Sequence, residues 1–264
     1  MKKSHRLLVT AAILFSLGLA ASGSEKVGQE NRVLPPNALS AEEKAQGWRL
    51  LFDGRTFDGW RGLGSDRVPE KHWIIEDGAI KKVPSKDVAL QADGQPLAGG
   101  DLTTVETFQD FELAFEWKIS LGGNSGIKYN VSEELSLAQA PNRAALGFEY
   151  QILDDDLHPD ARNGANRTAA ALYDLIAPLG KKLNPIGEFN EARIVFRGRH
   201  GEHWLNGVKV LEYDLETPRL ADFLAKSKYK NIPGFADRRK GRLVLQDHTD
   251  AVWFRNIKIR TLFP

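Results

Sequence analysis

Alternation of apolar and polar residues dominates between Leu102 and Ile119: Phe111, Leu113, Phe115 and Trp117 fall on one parity, Glu112, Ala114, Glu116 and Lys118 on the other. That is the period of a half-buried strand and not of a helix. The same period recurs from Gly147 to Leu153, where Phe148, Tyr150 and Ile152 share one face while Glu149 and Gln151 share the opposite one. Trp73–Glu76 and Ala79–Val83, separated by Asp77-Gly78, read as a hairpin. Ala192–Arg197, His203–Leu205 and Val208–Tyr213 read as three consecutive antiparallel strands, with turns at His200-Gly201 and Asn206-Gly207. Further strands are expected at Trp48–Phe52, Ile127–Val131, Arg242–Gln246 and Val252–Ile259, the last two as a terminal hairpin. Helices are few: Ser40 with Glu43 makes a capping box for Ala41–Gln46, and Thr217 before Pro218 starts a second short helix. Many short strands with turn chemistry between them predict an all-β, two-sheet sandwich.

Composition adds limits to this picture. Lys2, Lys3, His5 and Arg6 precede an apolar run from Leu7 to Ala21 that ends in small residues, the pattern of a secretory signal peptide, so residues 1–24 are expected to be removed. Residues 25–38 read as a mobile, Pro-containing linker and 39–264 as one domain. The apolar run is shorter than the roughly 20 residues a spanning helix needs, and no later segment approaches that length; an exported, periplasmic or extracellular protein without a transmembrane domain is expected, with an uncleaved anchor as the alternative. The chain has no cysteine, which excludes disulfides, thiolate metal sites and a Cys nucleophile. A formal net charge of +1 argues against a nucleic-acid partner.

The candidate chemistry gathers at GFEYQILDDDLHPD, Gly147–Asp160. Glu149 and Gln151 project from one sheet face, and the following turn supplies Asp154, Asp155, Asp156, His158 and Asp160. Gly122–Gly126 reads as a tight polar turn, either a plain hairpin loop or a source of ligand hydrogen bonds through Asn124 and Ser125, with Tyr129 available to face outward. The turn after Arg242–Gln246 presents Gln246, Asp247 and His248. Tyr173, with Trp60, Trp73 or Trp204, is a candidate to stack on a ring, although each aromatic is equally readable as core. Arg255 and Asn256 are candidates to buttress the site. His72, His200 and His203 sit in contexts that suggest no special role.

In order along the chain, the segments LLFDGRTFDGW, GNSGIKYNV, GFEYQILDDDLHPD, ALYDL, GEFNEARIVF, LNGVKV and GRLVLQDHTDAVWFRNIKIR resemble the 3-keto-disaccharide hydrolase family. The resemblance runs from Trp48 to Ile259, and seven segments in register are far more specific than any one of them. It implies a jelly-roll sandwich of the concanavalin A-like lectin and glucanase type with a sugar site on the concave sheet. Family members are commonly exported and many carry a lipidated Cys, which this chain lacks.

A conventional glycosidase needs two carboxylates about 5–9 Å apart. Glu149 and Asp154 are the local pair, but their odd spacing sets them on opposite faces of a regular strand. A 3-keto sugar offers another route, because the ketone acidifies the proton on C2 and its removal expels the C1 substituent, giving an enone that water re-enters. One base and one stabiliser of the enolate oxygen suffice. His158 or His248 is expected as base, with Glu149 also catalytic. Asn124, Ser125, Tyr129, Gln151, Tyr173, Gln246 and Arg255 are expected to bind substrate. Glu149, Gln151 and Asp154 either hold a divalent cation such as Ca2+ or bond sugar hydroxyls directly. No nucleotide fingerprint is present, so oxidation at C3 requires a separate sugar 3-dehydrogenase. The alternatives are a non-catalytic carbohydrate-binding sandwich and an ordinary two-carboxylate glycoside hydrolase.

Overall fold

The computed structural model describes residues 34–85, 89–90, 96, 100–139 and 144–263. The expected signal segment and most of the expected linker lie outside these residues, as does most of the loop 84–101. Asn37 at the linker's end is fastened to the domain: it bonds the Asn256 side chain and backbone, and its own amide donates to the Gly78 carbonyl at 2.8 Å.

In chain order the strands are β1 (Arg49–Leu50), β2 (Trp60–Gly62), β3 (Trp73–Glu76), β4 (Ala79–Lys82), β5 (Leu102–Thr104), β6 (Phe111–Ile119) and β7 (Asn124–Ser132). They continue with β8 (Leu146–Leu153), β9 (Asn190–Arg197), β10 (His200–Leu205), β11 (Val208–Asp214), β12 (Arg242–Leu245) and β13 (Val252–Thr261). Short helices α1 (Ala41–Ala45), α2 (Glu133–Ala138) and α3 (Pro218–Lys226) lie between them. The capping box of α1 is formed, and Thr217 caps α3 as its sequence requires. No helix among the described residues is long and apolar enough to cross a membrane.

The strands make two antiparallel sheets. One has the order β11-β10-β9-β6-β13-β4-β3, with β1 also on β13; the other has the order β2-β5-β12-β7-β8. The chain passes repeatedly from one sheet to the other, as in a jelly roll, and the faces turned toward each other form the core. Phe111, Phe115, Trp117, Phe196 and Phe254 from the larger sheet meet Tyr129, Phe148, Tyr150 and Ile152 from the smaller, all at most 2% exposed. Phe115 and Tyr150 pack edge to face at 5.5 Å. Each such side chain stabilises the fold by about 1.5–3 kcal/mol.

Three expectations change. The terminal hairpin does not exist: β12 pairs with β5 and β7, while β13 pairs with β6 and β4 in the other sheet, so residues 246–251 bridge the sandwich. The polar turn is shorter than expected, because Asn124, Ser125 and Gly126 already belong to β7. His200 and Gly201 likewise lie within β10.

Tyr129 faces inward and is fully buried. It pairs with Phe148 across β7 and β8, and opposite residues of an antiparallel pair share a face. Its hydroxyl lies 2.9 Å from His203 Nε2 and 2.6 Å from the Tyr213 hydroxyl, while His203 Nδ1 donates to the Ala170 carbonyl at 3.1 Å. Burial pulls the His203 imidazole down to about 4. An unfolded chain takes up that proton near pH 6.5, the folded one only near 4. Between these values the unfolded state alone is protonated, so His203 lowers stability progressively as pH falls through this window, by about 3 kcal/mol at most. Chemical denaturation at pH 7 and pH 4.5 should show a smaller acid loss for His203→Gln than for the parent; equal losses would rule this group out as the cause.

Candidate active site

The site grows from the pairing of β7 with β8. Lys128 stands opposite Glu149 and Gly126 opposite Gln151, which sets these residues on the outer face of the smaller sheet. Asn124, Lys128, Glu149, Gln151 and Gln246 are each at most 3% exposed. Gly126 has a specific reason to be glycine: a Cβ there would stand 2.6 Å from Glu149 Oε1, so the missing side chain is what lets the carboxylate lie across the strand.

Lys128 Nζ sits 3.8 Å from Glu149 Oε2 and donates to the Ala145 carbonyl at 3.1 Å. Beyond it, Asp101 accepts from the Ala145 and Asp247 backbone amides. Burial pushes the Asp101 carboxyl up, with the Lys128 charge opposing. Asp247 is fully buried and bonded by Lys82 at 3.0 Å and His72 Nδ1 at 2.6 Å. A polar seam therefore runs from His72 to Glu149.

It continues through amides. The Gln151 amide satisfies its neighbours when its nitrogen faces Glu149 Oε1 at 3.2 Å and the Ser125 carbonyl at 2.9 Å. In that orientation the amide oxygen is turned toward the Asn124 side chain, which it can bond only if the Asn124 amide is turned as well, and the Asn124 side chain lies 3.4 Å from His248 Nε2. The Asn124 backbone amide donates to Asp250 Oδ2 at 3.1 Å. His248 and His158 meet edge to face, ring centres 6.1 Å apart, and with Asp250 they form a half-buried triangle.

The role of His158 follows from its neighbours. Its Nδ1 accepts the Asp160 backbone N–H at 3.2 Å, so in the neutral ring the proton resides on Nε2. Burial lowers the imidazole pKa, and the charges of Asp250, Asp160 and Asp154 offset only part of that effect. At neutral pH His158 is therefore an uncharged hydrogen-bond donor.

On the flank, residues 169–173 run beside β8: Gln151 N–H donates to the Ala171 carbonyl and Tyr173 N–H to the Glu149 carbonyl. The Tyr173 hydroxyl donates to Asp160 Oδ2 at 2.8 Å, and Arg167 bonds Asp160 and Asp174. Burial, with the charges of Glu149 and Asp160, raises the Tyr173 phenol far above its ordinary value. Asp160 is also disfavoured as an anion by burial, but bonds from Asn163, Tyr173 and Arg167 outweigh this and lower its pKa. Gln246 Oε1 is buried and has no hydrogen-bond partner among the described residues, a group suited to receive a ligand hydroxyl.

Several expected site residues lie elsewhere. Tyr129 belongs to the core, as described. Ser125 pairs with Ile152 and donates to the Gln246 carbonyl at 2.9 Å, so its hydroxyl is a structural tie between strands. Arg255 is on the larger sheet, bonded to Glu116 at 2.7 Å and stacked on Phe189, and Asn256 bonds the same Glu116. Trp60 and Trp73 are buried, and Trp204 lies under Arg193. The Asp154 carboxylate of the expected cation set is engaged by backbone amides. Its Oδ2 accepts the Gly122 N–H, its Oδ1 accepts those of Asp156 and Leu157, and Glu149 already faces the Lys128 ammonium, which repels a cation. His158, His248 and Asp250 have the spacing of a cation site, but a proton on His158 Nε2 opposes it.

Sequence reasoning passed over Lys128, Asp101, Arg167, Asp250 and His72. The signal for Lys128 was present: it lies between Ile127 and Tyr129, on the same alternation that singled out Glu149.

A two-sheet sandwich with acid–base groups and side-chain amides gathered on the outer face of the smaller sheet fits a carbohydrate-active β-sandwich. The chain belongs to the 3-keto-alpha-glucoside-1,2-lyase-like domain family, which it matches over residues 47–260. A protein of Bacteroides thetaiotaomicron named 3-keto-disaccharide hydrolase is 42% identical over 248 residues, covering 86% of this chain and 82% of the relative. Among solved structures, a candidate glycosyl hydrolase from Parabacteroides distasonis superposes with a TM-score of 0.74 at 31% identity, covering 87% of this chain and all of the other. A second from that organism has a TM-score of 0.61 at 26% identity, covering 81% and 99%.

Proposed function

We propose that this enzyme cleaves 3-keto disaccharides and related 3-keto glycosides by elimination and hydration. The observation that carries the reading is the placement of Glu149, backed by Lys128, on the same stretch of sheet as the imidazoles of His158 and His248, with the Gln151 and Asn124 amides between them. Buried and half-buried ionisable groups gathered in one place favour catalysis over simple binding.

Glu149 removes the C2 proton. The electron pair moves into an enolate whose oxygen, derived from the ketone, receives the His158 Nε2–H, as developing negative charge requires. Collapse of the enolate breaks the C1–O bond, and the departing oxygen takes a proton from His248 as it leaves, which water entering at C1 returns. Water then adds at C1 and a proton returns to C2, so the net change is hydrolysis. Gln246 and Tyr173 hold hydroxyls of the sugar. This assignment moves the base from the histidines to Glu149, because the proton on His158 Nε2 makes that nitrogen a donor. The ordinary glycosidase reading is weakened by Asp154, whose oxygens are engaged by backbone amides.

The oxidised substrate would come from a separate sugar 3-dehydrogenase, in an exported pathway of carbohydrate breakdown. Incubating the purified protein with a 3-keto disaccharide and with the unoxidised parent tests the reading. Release of the second sugar from the 3-keto compound alone supports it; efficient cleavage of the parent would restore the two-carboxylate mechanism.

A further inference from the structure

We infer that Lys128 is a positioning residue for proton abstraction: its buried ammonium holds the Glu149 carboxylate in place and in its ionised, base-competent form. The inference rests on the assignment of Glu149 as base.

A lysine in the middle of a strand ordinarily extends its ammonium into water, and burial is unfavourable unless the charge is paired. Here the side chain is 4% exposed and the Glu149 side chain 2%. Packing alone gives no reason for a charged residue at a position flanked by Ile127 and Tyr129. The ammonium sits between two carboxylates, Glu149 at 3.8 Å and Asp101, whose ionisation its charge favours. Its bond to the Ala145 carbonyl fixes the head group on a loop that Asp101 also grips through the Ala145 amide. Lys128 is thereby anchored by the scaffold while its charge acts on Glu149. Among the described residues, the charged and titratable groups that face Glu149 include Lys128 from β7 and Tyr173 from the segment beside β8, with Asp101 beyond Lys128. Tyr173 is held neutral by burial, whereas the Lys128 ammonium, 3.8 Å from Glu149 Oε2, is a favourable charge for the carboxylate.

The separation from Glu149 exceeds an ordinary hydrogen bond. At that distance an ammonium acts by charge more than by directional bonding, which makes the inference separable from a structural role: charge, not shape, must matter. An opposite charge within about 4–6 Å shifts a carboxyl pKa by about 1–3 units. Removing it should move the acid limb of the rate profile upward by a comparable amount.

The test is the pH dependence of kcat and kcat/KM on a 3-keto disaccharide for Lys128→Met, Lys128→Arg and the double variant Lys128→Met with Asp101→Asn. The double variant also removes the buried Asp101 charge, so it remains informative if the single change fails to fold. Lys128→Met and the double variant should lower kcat at neutral pH by about 10-fold or more with KM little changed, and shift the acid limb upward by about 1–3 units. Lys128→Arg should retain the parent's limb. An acid limb that stays in place in the uncharged variants overturns the inference, as does a Lys128→Arg profile that matches Lys128→Met. Glu149→Gln separates this from the parent reading: an inactive Glu149→Gln with an unmoved limb in Lys128→Met overturns only the role of Lys128, whereas turnover by Glu149→Gln overturns the base assignment on which it stands.

Discussion

Glu149→Gln is expected to abolish turnover of 3-keto disaccharides, a loss of about 10³-fold or more, consistent with removal of a general base. The substitution preserves shape. A glutamine fits over Gly126 as the glutamate does, and one end of its amide still meets Gln151. What disappears is the charge that accepts the C2 proton. Substrate binding should survive, because Gln246, Tyr173 and the Asn124 amide are untouched, so the loss should fall on kcat with little change in KM. The change also leaves Lys128 facing a neutral group, and a lower unfolding temperature is expected alongside the kinetic effect. Steady-state kinetics on protein shown by thermal unfolding to be folded decides the matter: retained turnover would show that the carboxylate is a binding group.

His158→Ala is expected to lower kcat by about 100-fold, the smaller end of what a lost charge-stabilising donor or acid–base group produces. The companion variant His158→Gln distinguishes the two. A glutamine amide can donate toward the same oxygen but cannot accept a proton in the pH range of the assay, so partial recovery relative to alanine supports donation to the enolate. Equal inactivity of both variants, with loss of the limb near neutral pH, would return the base to the imidazole. The tautomer argument rests on the Asp160 N–H to Nδ1 bond at 3.2 Å, which comes from the turn that carries both residues.

The sequence carried most of the fold where alternation was clean. β6 and β8 were legible because each has one apolar face and one polar face, and the β9–β10–β11 meander was legible from its turns. β7 was only partly legible, since every one of its residues is buried and its polar face is covered. Ile127, Tyr129 and Val131 alternate with Lys128 and Asn130, but Tyr129 carries a hydroxyl that suits either face, and alternation alone does not show that the polar face, Lys128 included, is covered. The pairing of β12 and β13 was misread for a different reason. A short polar connection between two strands is compatible with a hairpin or with a crossing between sheets, and only the partners β5, β7, β6 and β4, distant in sequence, decide it.

The same limits apply to the site. Glu149, Gln151 and His158 lie on one continuous motif, and the sequence places them together. His248 joins them through Asn124, a contact across 124 residues that no local pattern contains. Arg255 was misassigned because nearness in sequence to His248 does not survive the crossing from one sheet to the other. Asp154 caps the backbone amides of Gly122, Asp156 and Leu157, a use of a carboxylate beside a turn that its sequence position does not distinguish from cation binding. His72 and Asp101 enter only through three-dimensional contacts with Asp247.

The central claim is that the bond to the second sugar breaks by elimination after removal of the C2 proton. The most direct measurement uses a 3-keto disaccharide carrying deuterium at C2 of the oxidised ring, following release of the second sugar and the fate of the label together. Elimination predicts that the 3-keto product carries solvent hydrogen at C2, with a slowed rate for the labelled substrate where proton removal limits turnover. Release of the second sugar with complete retention of deuterium and no isotope effect would contradict the mechanism.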